Sequence, residues 1–83
     1  MAKVKYIKTK DREIIVFSEL MSHDEFKKYE PISAGFISFG VGKNRNPSCT
    51  CYGESVSLNL KSHEEDSQLA KMQILGWDYY DED

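Results

Sequence analysis

At 83 residues and a formal net charge of −3, the chain holds enough for one small domain and too little for two. A hydrophobic fraction of 40% with 12% aromatics excludes wholesale disorder, and the absence of any apolar run of about 18 residues excludes a spanning helix. Residues 1–61 carry a net +3 and residues 62–83 a net −6. That split excludes a basic surface spread over the whole molecule, which broad DNA binding requires.

The start, Met1 to Tyr6, is positive but has no apolar core, so no secretory signal is expected. Cys49 and Cys51 stand two residues apart, and a bridge between strand neighbours of one face is strained. With no disulfide framework to build, a cytoplasmic setting is expected.

Residues 3–8 mix Val4, Tyr6 and Ile7 with lysines and read as a first strand. Residues 9–12 form a polar break of hairpin length, and residues 13–17 are a β-branched run with apolar side chains on both parities. Such a run is expected to be covered on both faces or to sit centrally in its sheet. Ser22 with Glu25 three residues later is a capping box, and a short helix to about Tyr29 should follow, burying Phe26. Pro31 ends it.

A third strand follows, with Ile37, Phe39 and Val41 on one face. Residues 42–47 are the most loop-like stretch and predict a hairpin tip. Residues 48–60 read as its return strand, because Val56, Leu58 and Leu60 alternate with Ser55, Ser57 and Asn59. A bulge at Gly53 would put Cys49 and Cys51 on the face of those three apolar residues; without it they fall on the serine face. Ser62 with Glu65 is a second capping box, opening a helix to about Leu75 with Gly76 at its left-handed end. The order is ββαββα. The fold class expected is α+β, a mainly antiparallel sheet of about four strands with two helices, the longer one C-terminal. Residues 1–76 make the domain and residues 77–83 an acidic aromatic tail.

Few residues carry a chemical signature. Cys49 and Cys51 offer at most half of a tetrahedral thiolate site, so they read as packed strand residues and no metal or other cofactor is expected. His23 and His63 each follow a serine cap and read as surface residues. Gly53-Glu54-Ser55 lacks the nucleophile-elbow spacing, and Gly40-Val-Gly42-Lys43 lacks that of a phosphate loop. No catalytic set emerges, and an enzyme is not expected.

Two binding surfaces remain. The tail combines Trp77, Tyr79 and Tyr80 with acids including Asp81, which suits either an aromatic folding back to complete the core or docking on a protein partner or a second copy of the chain. Lys3, Lys5, Lys8, Lys43 and Arg45 suit a small nucleic-acid surface, with Tyr6 and Phe36 as stacking platforms. A solvated edge strand guarded by charge explains the same lysines more simply.

The segments Pro31-Ile-Ser-Ala-Gly-Phe36, Cys51-Tyr-Gly-Glu-Ser-Val-Ser-Leu58 and Glu64-Glu-Asp-Ser-Gln-Leu-Ala70 resemble a pattern in small uncharacterised proteins of gut bacteria and their phages. The resemblance spans residues 5–76 and implies a phage or mobile-element context. It carries over no functional residue. The function expected is a non-enzymatic protein–protein interaction module, with single-stranded nucleic-acid binding as the alternative.

Overall fold

The computed structural model describes residues 4–42 and 45–76. Its main sheet is antiparallel, with β1 (Val4–Thr9), β2 (Ile14–Ser18), β3 (Pro31–Val41) and β4 (Pro47–Tyr52) in the order β2-β1-β3-β4. A 3-10 helix (His23–Tyr29) links β2 to β3. Beyond β4 come a two-stranded ribbon, β5 (Glu54–Ser55) and β6 (Leu60–Lys61), and the helix α1 (Asp66–Ile74). The α+β class, the antiparallel four-stranded sheet and the longer C-terminal helix are as the sequence implies.

The sheet is the middle of three layers. On one face, Tyr6, Ile14, Ile37, Cys49 and Cys51 pack with Ala70 of α1, flanked by Val4, Leu69 and Leu75. On the other, Ile7, Phe17 and Ala34 are covered by Phe26 of the 3-10 helix and by Leu58 and Leu60 of the ribbon. The two-sided apolar pattern of residues 14–17 reflects this double cover. It does not place the strand centrally, for β2 is an outer strand.

Local signals set the joints. The capping box at Ser22 forms as expected, with Ser22 Oγ accepting from the Asp24 amide and Glu25 accepting from the Ser22 amide. Arg12 adopts a left-handed φ of 64°, closing β1 and β2 through a three-residue turn of the bulged type. β3 and the turn into β5 approach closely: a Cβ on Gly35 would collide with the carbonyl oxygen of Tyr52. Gly53, at φ 78°, supplies the conformation that lets the chain turn there.

Three expectations are corrected. The return strand does not run to Leu60. It stops at Tyr52, and residues 56–59 are a turn closed by the Ser55 hydroxyl and by Asn59 at φ 57°. Val56 is therefore exposed, and the cysteines lie on the sheet face opposite Leu58 and Leu60, the side given by the alternative without a bulge, but buried there against α1. The second capping box also fails. Glu65 turns away from Ser62 towards Lys8 and Arg12, and Asp66 accepts from the His63 amide instead. Finally, β1 is no charge-guarded edge, because it lies between β2 and β3.

Candidate functional site

Lys8 is fully buried in β1, an unusual place for a lysine. Its ammonium touches Asp66 Oδ1 at 2.7 Å, the Glu65 carboxylate and His63 Nδ1 at 3.2 Å. Asp66, also fully buried, accepts on Oδ2 from the Tyr6 hydroxyl, from Ser33 Oγ at 2.7 Å and from the His63 amide at 2.9 Å. The first turn of α1 is thereby clamped to β1 and β3.

The electrostatics hold this cluster in its charged form. Burial works against the Lys8 cation, but bonds to Asp66 and Glu65 outweigh it and its pKa lies above the ordinary value. Burial likewise works against the Asp66 carboxylate, yet Lys8, Tyr6, the His63 amide and Ser33 together hold its pKa below the usual range. Burial and the Asp66 bond raise the pKa of Tyr6. A nucleophilic lysine needs a depressed pKa and an approach for substrate; Lys8 has neither.

His63, Glu65 and Asp66 also present three ligand atoms within 4.8 Å of one another. The Lys8 ammonium is bonded to all three residues, so a cation already fills the place a metal would take. The cysteines are equally closed. Burial, then the neighbouring Cys49 and Asp66, push the Cys51 thiol up to about 12, and burial raises Cys49. Thiols in that state are poor nucleophiles and poor metal ligands.

His23 is core, contrary to its surface reading. It is 5% exposed, and its Nε2 donates to the Gly35 carbonyl oxygen at 2.8 Å. Burial lowers its pKa, against the Gly35 bond and with a contribution from Lys5. Its ring belongs to an aromatic chain running Tyr29, Phe26, Phe17, His23, Phe36, Tyr52, with centroid separations of 4.0 to 6.0 Å. The sequence shows the members of this chain but not their order in space.

Of the basic residues singled out from the sequence, Lys8 cannot reach a phosphate. Lys10 and Arg12, beside it, are paired to Glu30 and Glu65. Lys5 points to the opposite face and donates to the Met21 carbonyl oxygen at 2.9 Å, so no carboxylate bonded to it offsets its charge among these contacts. Tyr6 is buried and offers no stacking surface. Arg45 is exposed, at φ 61°, near the hairpin tip. Lys3, Lys43, Trp77, Tyr79, Tyr80 and Asp81 lie outside the described residues.

Among the described residues, β3 and β4 extend past β1 as an arm. β3 pairs with β1 only as far as Ile37, so Ser38–Val41 pair with β4 alone among the described residues. The arm has an apolar face, where Phe39 is 46% and Val41 72% exposed, and a small polar face of Ser38, Gly40, Ser48 and Thr50.

Both outer strands are guarded. On β4, Pro47 has no amide proton and the Cys51 amide donates to Ser67 Oγ at 2.8 Å. On β2, Gln73 Oε1 accepts from the Ile14 amide and Nε2 donates to the Arg12 carbonyl oxygen, both at 2.8 Å. The Gln73 amide thus occupies the edge as a neighbouring strand's peptide would. No helix among the described residues is long and apolar enough to cross a membrane. Comparison of the chain with protein-family models, curated proteins and solved structures finds no match to any of them.

Proposed function

We propose that the chain is a non-enzymatic protein–protein interaction module, working in the phage or mobile-element setting that its sequence resemblance implies. The observation that carries this reading is the exposed apolar face of the β3–β4 arm, at Phe39 and Val41. A two-stranded ribbon is marginal alone, and apolar side chains held out on one are suited to a partner's surface. The closed state of Lys8, Cys49, Cys51 and His23 supports the same reading, since each has its reactive atoms buried, with burial holding the thiols and the imidazole neutral and carboxylates holding Lys8 charged.

The guarded edges favour docking on the face of the arm over strand addition, whether the partner is another protein or a second copy of the chain. Trp77, Tyr79, Tyr80 and Asp81 are the further contact residues in this proposal. The test is a quantitative pull-down from the native host with three baits: the full chain, Phe39→Ser/Val41→Ser, and a truncation after Gly76. The reading expects a partner set that the arm variant loses while its circular dichroism is unchanged. Equal capture by all three baits would sink it.

A further inference from the structure

We propose a second binding surface on the other face of the same sheet, for single-stranded nucleic acid, built on the row Lys5–Phe36–Tyr52. The register sets Lys5 of β1 opposite Phe36 of β3, and Phe36 opposite Tyr52 of β4, so the three side chains stand side by side on one face. Along the strands the next pairs on this face are Ser38 with Thr50 and Gly40 with Ser48. The 3-10 helix and the β5–β6 ribbon pack on the Ile7, Phe17 and Ala34 end of the face. Tyr52 is 43% exposed and Ser38, Gly40 and Thr50 are exposed, so the row borders open surface.

Each part suits a flexible polyanion carrying flat bases. Phe36 and Tyr52 lie 5.9 Å apart and are the outer end of the aromatic chain, whose inner members Phe17 and His23 are buried. They are rigid platforms, and base stacking on such rings is tolerant of sequence. Two serines and a threonine offer hydroxyls beyond them. A Cβ on Gly40 would meet no atom within 4 Å, so nothing projects over that position and a backbone can approach closely.

Charge completes the match. Lys8, Lys10 and Arg12 are bonded to carboxylates, whereas Lys5 is bonded to a carbonyl oxygen. Lys5 stands on the same face as the two rings, one strand from Phe36 and two from Tyr52, and its charge adds to this face. Exposed rings stack on the faces of bases, which a single strand presents and a paired duplex keeps stacked, so single strands are the ligand proposed. The surface differs from the one first expected: Lys5 belongs to it, Lys8 does not, and Tyr52 takes the place of the buried Tyr6 beside Phe36.

Fluorescence anisotropy with labelled 12-nucleotide single strands, DNA and RNA of mixed sequence, at low salt is the test. The full chain should bind both, with affinity falling as salt rises. Tyr52→Ala should weaken binding about tenfold and Tyr52→Phe should restore it. Lys5→Gln should lower the slope of log affinity against log salt by about one. Phe39→Ser/Val41→Ser, on the opposite face, should bind as the full chain does, which separates this surface from the protein-docking one. No binding at low salt overturns the proposal. So does binding that Tyr52→Ala leaves intact, or that polyglutamate displaces as well as an unlabelled strand, since a general or acidic-peptide site would then remain.

Discussion

Lys5 and Lys8 sit three residues apart on one strand and meet opposite fates. Lys8 faces α1 and is locked between two carboxylates and a histidine, while Lys5 faces the aromatic side and touches a backbone carbonyl. The odd spacing puts them on opposite faces of the sheet. One face of this protein spends its polar groups on holding the helix down, and the other carries a lysine and two aromatic rings in one cross-strand row. A lysine in a small basic strand is therefore not evidence of a ligand until its face is known.

The largest way to break that contrast is to empty the clamp. Lys8→Ala leaves Asp66 buried without its cation and should cost about 3–5 kcal/mol in urea unfolding, while Lys8→Met with Asp66→Asn, which keeps an acceptor for Tyr6, Ser33 and the His63 amide, should cost less. The pH profile has a defined sign. Asp66 has a lowered folded pKa, so its contribution is complete above the unfolded value of about 3.9 and is lost as pH falls below it. Lys8 has a raised folded pKa, so its contribution is complete below about 10.4 and is lost as pH rises through the folded value.

Gln73 tests the guarding of the edge. Gln73→Ala frees the Ile14 amide and the Arg12 carbonyl oxygen and should cost about 1–2 kcal/mol. Concentration-dependent self-association should appear in sedimentation at the same time. A variant that stays monomeric would show that the edge needs no guard.

His23 sharpens the account of the aromatic face. Its folded pKa lies below the unfolded value near 6.5, so the stability it contributes as a neutral ring is complete above about pH 6.5 and declines as pH falls. Thermal unfolding between about pH 6.5 and 5 should show this slope in the full chain and a flatter one in His23→Phe. The smallest effect is expected at Arg12, where Arg12→Gly relieves a left-handed φ at the loss of an exposed ion pair, a net gain of about 0.5 kcal/mol.

Local chemistry was readable from the chain. Ser22 and Glu25 are three residues apart, and with no distant partner bonded to Glu25 among these contacts the box forms as that spacing implies. Gly53 marks a break in the strand, and the break is there. Signals went astray where distant partners decide. The carboxylates that neutralise Lys8 are 57 and 58 residues away, so no local pattern announces its burial. The same pull takes Glu65 from its box with Ser62 and leaves the adjacent acid, Asp66, to bond the His63 amide. The turn at residues 56–59 was disguised by alternation, although Ser55 and Asn59 are turn residues that argued against a strand. Of the candidate surfaces, the arm's apolar residues could be read from Phe39 and Val41 sharing a parity, but their exposure depends on how far α1 covers that face, which no local pattern shows.

Lysine labelling of the folded protein, read residue by residue by mass spectrometry, tests the contrast most directly. With a small amine-reactive reagent at neutral pH, Lys8 should stay unmodified while Lys5 and Lys61 react, and Lys8 should become reactive only in denaturant. Labelling of folded Lys8 at the rate of Lys61 would contradict the closed clamp on which this account of the two faces rests.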